Sequence, residues 1–200
     1  MAQDGNAGLC PDGPLNAALA QLQSDDEGGL ATLAGLMADH PLDPRLHFLR
    51  GSVLAGLQRY DEGRSAMARS IEIAPDFALA RFQLGFLDLT SGRAVDAIGV
   101  WTPLFALDEN EPLRVLAEGL THLAGDNFSE ARRLLTKGMA MNVANPLINA
   151  DMQLIFDEIE NKPDAAPAAA PADTDPAPAS ATHQLLQQYR LKDSVNTKKH

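Results

Sequence analysis

Histidine, cysteine and paired carboxylates are the side chains that hold metals, move protons or attack electrophiles near neutral pH. Their spacing is therefore the first test for chemistry. The five histidines are His40, His47, His122, His183 and His200. None forms the HxxxH or HExxH pair that puts two ligands on one helix face. The single cysteine, Cys10, excludes an intramolecular disulfide and a cysteine-rich metal site. It reads as a tolerated thiol in a reducing compartment. No Gly-x-Ser-x-Gly elbow, GxGxxG turn or P-loop is present. The acidic pairs Asp25-Asp26 and Asp61-Glu62 open helical segments, where capping and the helix dipole account for them. Asp108-Glu109-Asn110-Glu111 is a polar turn, weak as a metal loop. The expectation is a chain with no catalytic residue, no metal site and no cofactor, hence not an enzyme.

The elements that carry these residues follow from composition. The chain has 200 residues, 45% hydrophobic but only 5% aromatic. A core built from Leu, Ala, Val, Ile and Met suits helices better than sheets. The formal net charge of −11 argues against nonspecific binding to nucleic acid or an anionic membrane. No apolar run approaches the length of a spanning helix, roughly 18 residues. Residues 1–14 have no Lys or Arg and no apolar core, unlike a secretory signal. These features point to a cytoplasmic protein with no membrane span.

Self-similarity is the dominant signal. Gly51, Gly85 and Gly119 recur at one constant interval, and a further step back reaches Ala17. Gly29, Gly63, Ala97 and Ala131 form a second small-residue column of the same period. Leu33, Met67, Trp101 and Leu135 form a bulky one, and Glu62, Asp96 and Glu130 an acidic one. From Gly51 to Gly63, as from Gly85 to Ala97, the separation fits two helices joined by a short turn. Small residues let antiparallel backbones approach closely. The turns fall near 57–60, 90–93 and 124–127, where Gly and Asn supply helix-stop conformations. Pro75 closes a unit, because a helix does not continue through it.

This pattern resembles the tetratricopeptide repeat, which has a small residue at position 8, Ala at 20, a large residue at 24 and Pro near 32. With Pro44 as position 1, the units are 44–77, 78–111 and 112–145. Residues 10–43 read as a degenerate leading unit and 146–161 as a capping helix. The fold implied is all-α: a TPR-like α-solenoid of helix-turn-helix repeats, preceded by a flexible N-terminus (1–9). Several family positions differ. Position 4 is His47, Arg81 and Val115 where the family has Trp, and Pro is lost at Glu109 and Val143.

In this family, positions 2, 5, 9 and 12 of the first helix commonly face a concave groove. Here they are Arg45, Phe48, Ser52 and Ala55, then Leu79, Phe82, Phe86 and Leu89, then Leu113, Leu116, Leu120 and Leu123. Nine of the twelve are apolar and larger than Ala. The partner-binding candidates are Phe48, Leu79, Phe82, Phe86, Leu89, Leu116 and Leu120. Such a stripe is read either as an acceptor for a partner or as buried core. The family's carboxylate-clamp residues are not matched: their places hold Phe48, Ser52, Gln83, Leu113 and Ala117.

Residues 162–182 are rich in Ala and Pro and read as a semi-rigid linker. Residues 183–200 form a short basic tail, with Leu185, Leu186 and Tyr189 at helical spacing. This stretch carries a net charge of +3, against −12 for residues 1–161. The tail is thus a candidate ligand for the groove of its own or a neighbouring chain. The function implied is a non-catalytic interaction module that binds a peptide or amphipathic helix of another protein. The alternatives are a chaperone for a hydrophobic partner, similar to type III secretion translocator chaperones, and a structural assembly subunit.

Overall fold

The computed structural model describes residues 8–164. The linker beyond Asp164 and the tail motif lie outside the described residues, as do residues 1–7. Among the described residues the elements are all helical: α1 (Asp12–Leu22), α2 (Asp26–Asp39), α3 (Pro44–Gly56), α4 (Tyr60–Ile73), α5 (Ala78–Thr90), α6 (Ala94–Trp101), α7 (Pro112–Ala124), α8 (Phe128–Met141) and α9 (Pro146–Ile159). A 3-10 turn at Thr102–Ala106 follows α6. The chain divides into two compact units after Leu84, within α5.

The sequence period is visible in the turns. Gln58 (φ 63°), Gly92 (φ 79°) and Asp126 (φ 55°) each take the left-handed conformation in the middle of a three-residue turn. The residue after each donates its N–H to the carbonyl five residues back: Arg59 to Leu54 (2.8 Å), Arg93 to Asp88 (2.8 Å) and Asn127 to His122 (3.0 Å). This closure satisfies carbonyls that the helix end would otherwise leave without partners. The sequence points to Gly and Asn for this role, yet in two of the three turns Gln58 and Asp126 hold the left-handed position. Gly125 and Asn127 flank the latter.

Helix pairing rests on the small columns. A Cβ placed on Gly51 of α3 would sit 3.0 Å from both the Gly63 carbonyl oxygen and the Met67 N of α4. One placed on Gly63 would sit 3.0 Å from the Gly51 carbonyl oxygen. The two backbones therefore touch, and hydrogen is the only side chain that fits without movement. The bulky column fills the remaining space. Met67 lies over Gly51, the Trp101 indole covers Gly85, and Leu135 lies against Gly119. In each pair the bulky residue follows its glycine by the same sequence separation.

Two departures have local causes. α6 has 8 residues against 14 in α2, α4 and α8. Pro103 cannot donate to the α-helical ladder, and the chain tightens into the 3-10 turn there. In the leading pair, Ala17 is exposed and Ala18 is fully buried, one residue off the extrapolated column. α1 starts at Asp12 rather than at residue 10, and its turn lacks the left-handed residue, so its register is its own.

The leading pair is tied to α3 by a buried carboxylate. Asp43 caps α3 by accepting from the Arg45 N–H (2.9 Å). It also accepts from the Cys10 N–H (2.8 Å) and from the Arg45 guanidinium (2.8 Å). Arg45 in turn donates to the Cys10 carbonyl oxygen (2.6 Å). The Cys10 side chain is buried in one cluster with Leu15, Ala18, Leu33 and Leu46. Burial opposes the Asp43 charge, but these donors outweigh it and hold its pKa below the ordinary value. Its stabilisation is therefore full above the usual carboxylate range near ~4 and is lost as pH falls through the lowered value.

Glycine sites should separate by their surroundings. Gly51→Leu should cost about 1–3 kcal/mol through overpacking, measured by thermal unfolding. Gly99→Ala, at a site with nothing near the added carbon, should instead add about 0.5–1 kcal/mol in the same melt. Asp43→Ala should cost about 2–3 kcal/mol at pH 7, and the gap to wild type should close as acid titration protonates Asp43.

Candidate functional site

The first helices present one column set, positions 2, 5, 9 and 12, whose apolar members the sequence nominates for binding. In the first unit, Phe48 and Leu79 are partly exposed. The Phe48 ring meets Phe77 edge-on, with centroids 5.3 Å apart. Phe82, Phe86, Leu89, Leu116 and Leu120 are buried. The sequence leaves open whether this stripe is an acceptor or core, and for these five the structure shows side chains packed away from solvent. Leu116 illustrates the cause: its Cδ2 occupies the space beside Gly138 of α8, so it fills the α7–α8 interface. Of the unmatched clamp positions, Leu113 and Ala117 are also buried.

The same columns continue into α9, where solvent reaches them. Pro146 stands one full period after Pro112, so α9 occupies the place of a fifth first helix. Its position 2 is Leu147 (81% exposed), its position 5 is Ala150 and its position 9 is Leu154 (51% exposed). Val143, just before the helix, is 87% exposed. The opposite face, Ile148, Met152, Ile155 and Ile159, is buried, and α9 packs on α8. Position 8, glycine in α3, α5 and α7, is Gln153 and exposed. Glutamine there does not permit the close backbone approach that glycine allows between α3 and α4. By sequence alone this helix reads as a capping helix. Carrying the period one step past Pro112 was the signal that would have marked Leu147 and Leu154.

Polar contacts fix α9 in place. The buried Asn142 donates through Nδ2 to the Asn145 carbonyl oxygen (2.9 Å) and to Asn149 Oδ1 (2.8 Å). Asn149 Nδ2 donates to the Asn142 (3.0 Å) and Met139 (3.2 Å) carbonyl oxygens. After α9 the chain folds back to the start of α8. Arg132 Nη1 donates to the Ile159 (2.7 Å) and Lys162 (3.0 Å) carbonyl oxygens. The Ser129 N–H donates to Asp164 Oδ1 (2.7 Å), and this bond lowers the Asp164 pKa. A carboxylate there also faces the positive end of α8.

The first unit has a second feature, an open cleft of about 420 Å³ between α2, α3 and α4. Met37 and Ala66 line it with His47, Arg50, Asp61 and Glu62. His47 Nε2 lies 2.9 Å from the Pro41 carbonyl oxygen. Arg59 binds Glu62 through two nitrogens at 2.8 Å and holds its pKa below the ordinary value. Ser65 and Arg69 complete the lining, and Ser65 Oγ donates to the Asp61 carbonyl oxygen (2.9 Å). Among the described residues, no group of three or more His, Cys, Asp or Glu side chains is placed to hold a metal ion. No described helix is long and apolar enough to cross a membrane.

Helix-turn-helix pairs of constant period, without strands among the described residues, define the class: an all-α, TPR-like α-solenoid fold. Two solved structures share it. One, titled "MamA RS-1 ArsTM double mutant", is 12% identical, with 94% of each chain covered and a TM-score of 0.55. The other, MamA 41-end from Desulfovibrio magneticus RS-1, is 13% identical, with 94% of this chain and 96% of that chain covered and a TM-score of 0.55. MamA is a TPR-fold protein. No protein-family model matches the chain, and no curated protein matches it in sequence.

Burial separates the columns by effect. Leu120→Glu, which forces a charge into a dry site, should cost more than about 4 kcal/mol and abolish cooperative unfolding of the second unit. Leu154→Glu should stay within about 0.5 kcal/mol of wild type. Circular dichroism melts of the two variants check both outcomes.

Proposed function

We propose that this chain is a non-catalytic protein-interaction scaffold, and that it binds a peptide or amphipathic helix of another protein through the exposed column face of α9. The observation that carries the reading is α9. Its residues at positions 2 and 9, Leu147 and Leu154, are large, apolar and open to solvent, next to the equally open Val143. Such a stripe costs solubility unless a partner uses it. Phe48 and Leu79 offer a smaller exposed apolar surface in the first unit. Phe82 in the first unit, and Phe86, Leu89, Leu116 and Leu120 in the second, are buried and serve this reading as core rather than contact residues.

The exposed area favours a short ligand. A chaperone for a long hydrophobic client needs a wide apolar acceptor, whereas α9 presents one stripe about two turns long. The spacing of Leu147 and Leu154, an i, i+7 pair on one face, suits the i, i+3/i+4, i+7 anchors of a partner helix.

Affinity capture from the native source, with the full chain immobilised, tests this. Leu147→Asp with Leu154→Asp should lose a discrete set of captured proteins while the helical signal and melting temperature hold. An identical set from both surfaces rejects α9 as the contact.

A further inference from the structure

The tail of the same chain has the length, chemistry and starting point to be a ligand for α9. We propose that residues 183–192 dock on the exposed α9 stripe of Val143, Leu147, Ala150 and Leu154, so that the chain covers its own binding face until a partner displaces the tail. This rests on the reading of that stripe as an acceptor and adds its resting occupant.

Three observations carry the assignment. The first is geometric. The contacts of Ser129 with Asp164, and of Arg132 with Ile159 and Lys162, hold the chain after α9 against the N-terminal end of α8. The remaining chain therefore departs from a fixed point on the body that carries α9. The segment between Asp164 and His183 reaches on the order of 55 Å when extended. α9 itself is about 21 Å long. Every point of the stripe is within range.

The second is chemical fit. Residues 183–192 place Leu185, Leu186 and Tyr189 at helical spacing, with Gln184, Gln187 and Gln188 between and beside them. An apolar edge of that size matches a stripe whose large residues are 81% and 51% exposed. The third is charge. α9 contains Asp151, Asp157 and Glu158 and neither Lys nor Arg. Residues 183–200 carry Arg190, Lys192, Lys198 and Lys199 against Asp193 alone. Tethering of this kind gives an effective concentration on the order of millimolar, enough to populate a contact too weak to detect between separate molecules.

Disulfide trapping in the full chain tests the assignment. Leu154→Cys is combined with Leu186→Cys in one variant and with Ala170→Cys in a second. Cys10 is buried and stays in place. A tail that samples space freely closes the shorter tether faster, so Ala170→Cys would lead. Docking reverses the order, with the Leu186→Cys pair forming about tenfold faster as an intramolecular bond in the monomer. Adding Leu185→Ser and Tyr189→Ser should restore the free-tether order. Faster closure at residue 170, or disulfide-linked dimers as the main product, overturns the proposal, the latter by making a second copy the occupant. If trapping fails while the Leu147→Asp and Leu154→Asp variant still loses its captured proteins, only the tail assignment falls.

Discussion

Everything in this fold depends on two backbones being allowed to touch. At Gly51 and Gly63 the carbonyl oxygen of each residue lies only 3.0 Å from where the other would carry a Cβ. That approach brings α3 and α4 within reach of each other's bulky residues, and Met67 then fills the space over Gly51. Trp101 over Gly85 and Leu135 against Gly119 repeat the filling with different side chains, and there the glycine meets a bulky side chain rather than a backbone. Dispersion between close-packed atoms is short-ranged, and a gap of even half an ångström forfeits much of it. A repeat of this kind is therefore specified by where side chains are missing as much as by where they are large.

The polar contacts divide labour with this packing. Asp43, Arg45 and the Cys10 backbone bind the irregular leading pair to α3, where the glycine columns no longer hold register. At the other end, Asn142 and Asn149 perform the corresponding service for α9. Both networks sit at junctions between helix pairs, where backbone groups fall outside the helical ladders and burial without partners would be costly. The middle pairs carry buried polar contacts as well: Arg93 Nε donates to the buried Asp88 carboxylate (2.8 Å), and Ser70 Oγ donates to the Pro44 carbonyl oxygen (2.8 Å).

Much of this was legible from the residues alone. The constant period in the glycine, bulky and acidic columns marked the helix pairs and their turns, because each column answers a local steric demand. Burial of Phe82, Phe86, Leu89, Leu116 and Leu120 was not legible. An apolar side chain at a surface-facing position reads the same whether or not another element covers it, and Leu116 is explained only by the space left at Gly138. The left-handed residues Gln58 and Asp126 were also hidden, since neither type marks that conformation as glycine does. The anchors at Asp43 and Asp164 join residues more than thirty positions apart, beyond any motif window. The α9 stripe is legible in the same columns, since Pro146 stands one period after Pro112 and puts Leu147 and Leu154 at positions 2 and 9.

Gln153 has a consequence for how such a chain can change in length. Arrays of this kind lengthen by tandem duplication of a whole period, and a new second helix added after α9 would meet an amide side chain where the three earlier first helices offer glycine. Duplication within 44–145 copies intact pairs and leaves the terminal helix in place. Duplication past 146 yields an unpaired segment unless Gln153 is replaced first. The residue thus confines growth to the interior of the array, and variation in repeat number among descendants of such a chain is expected upstream of Pro146.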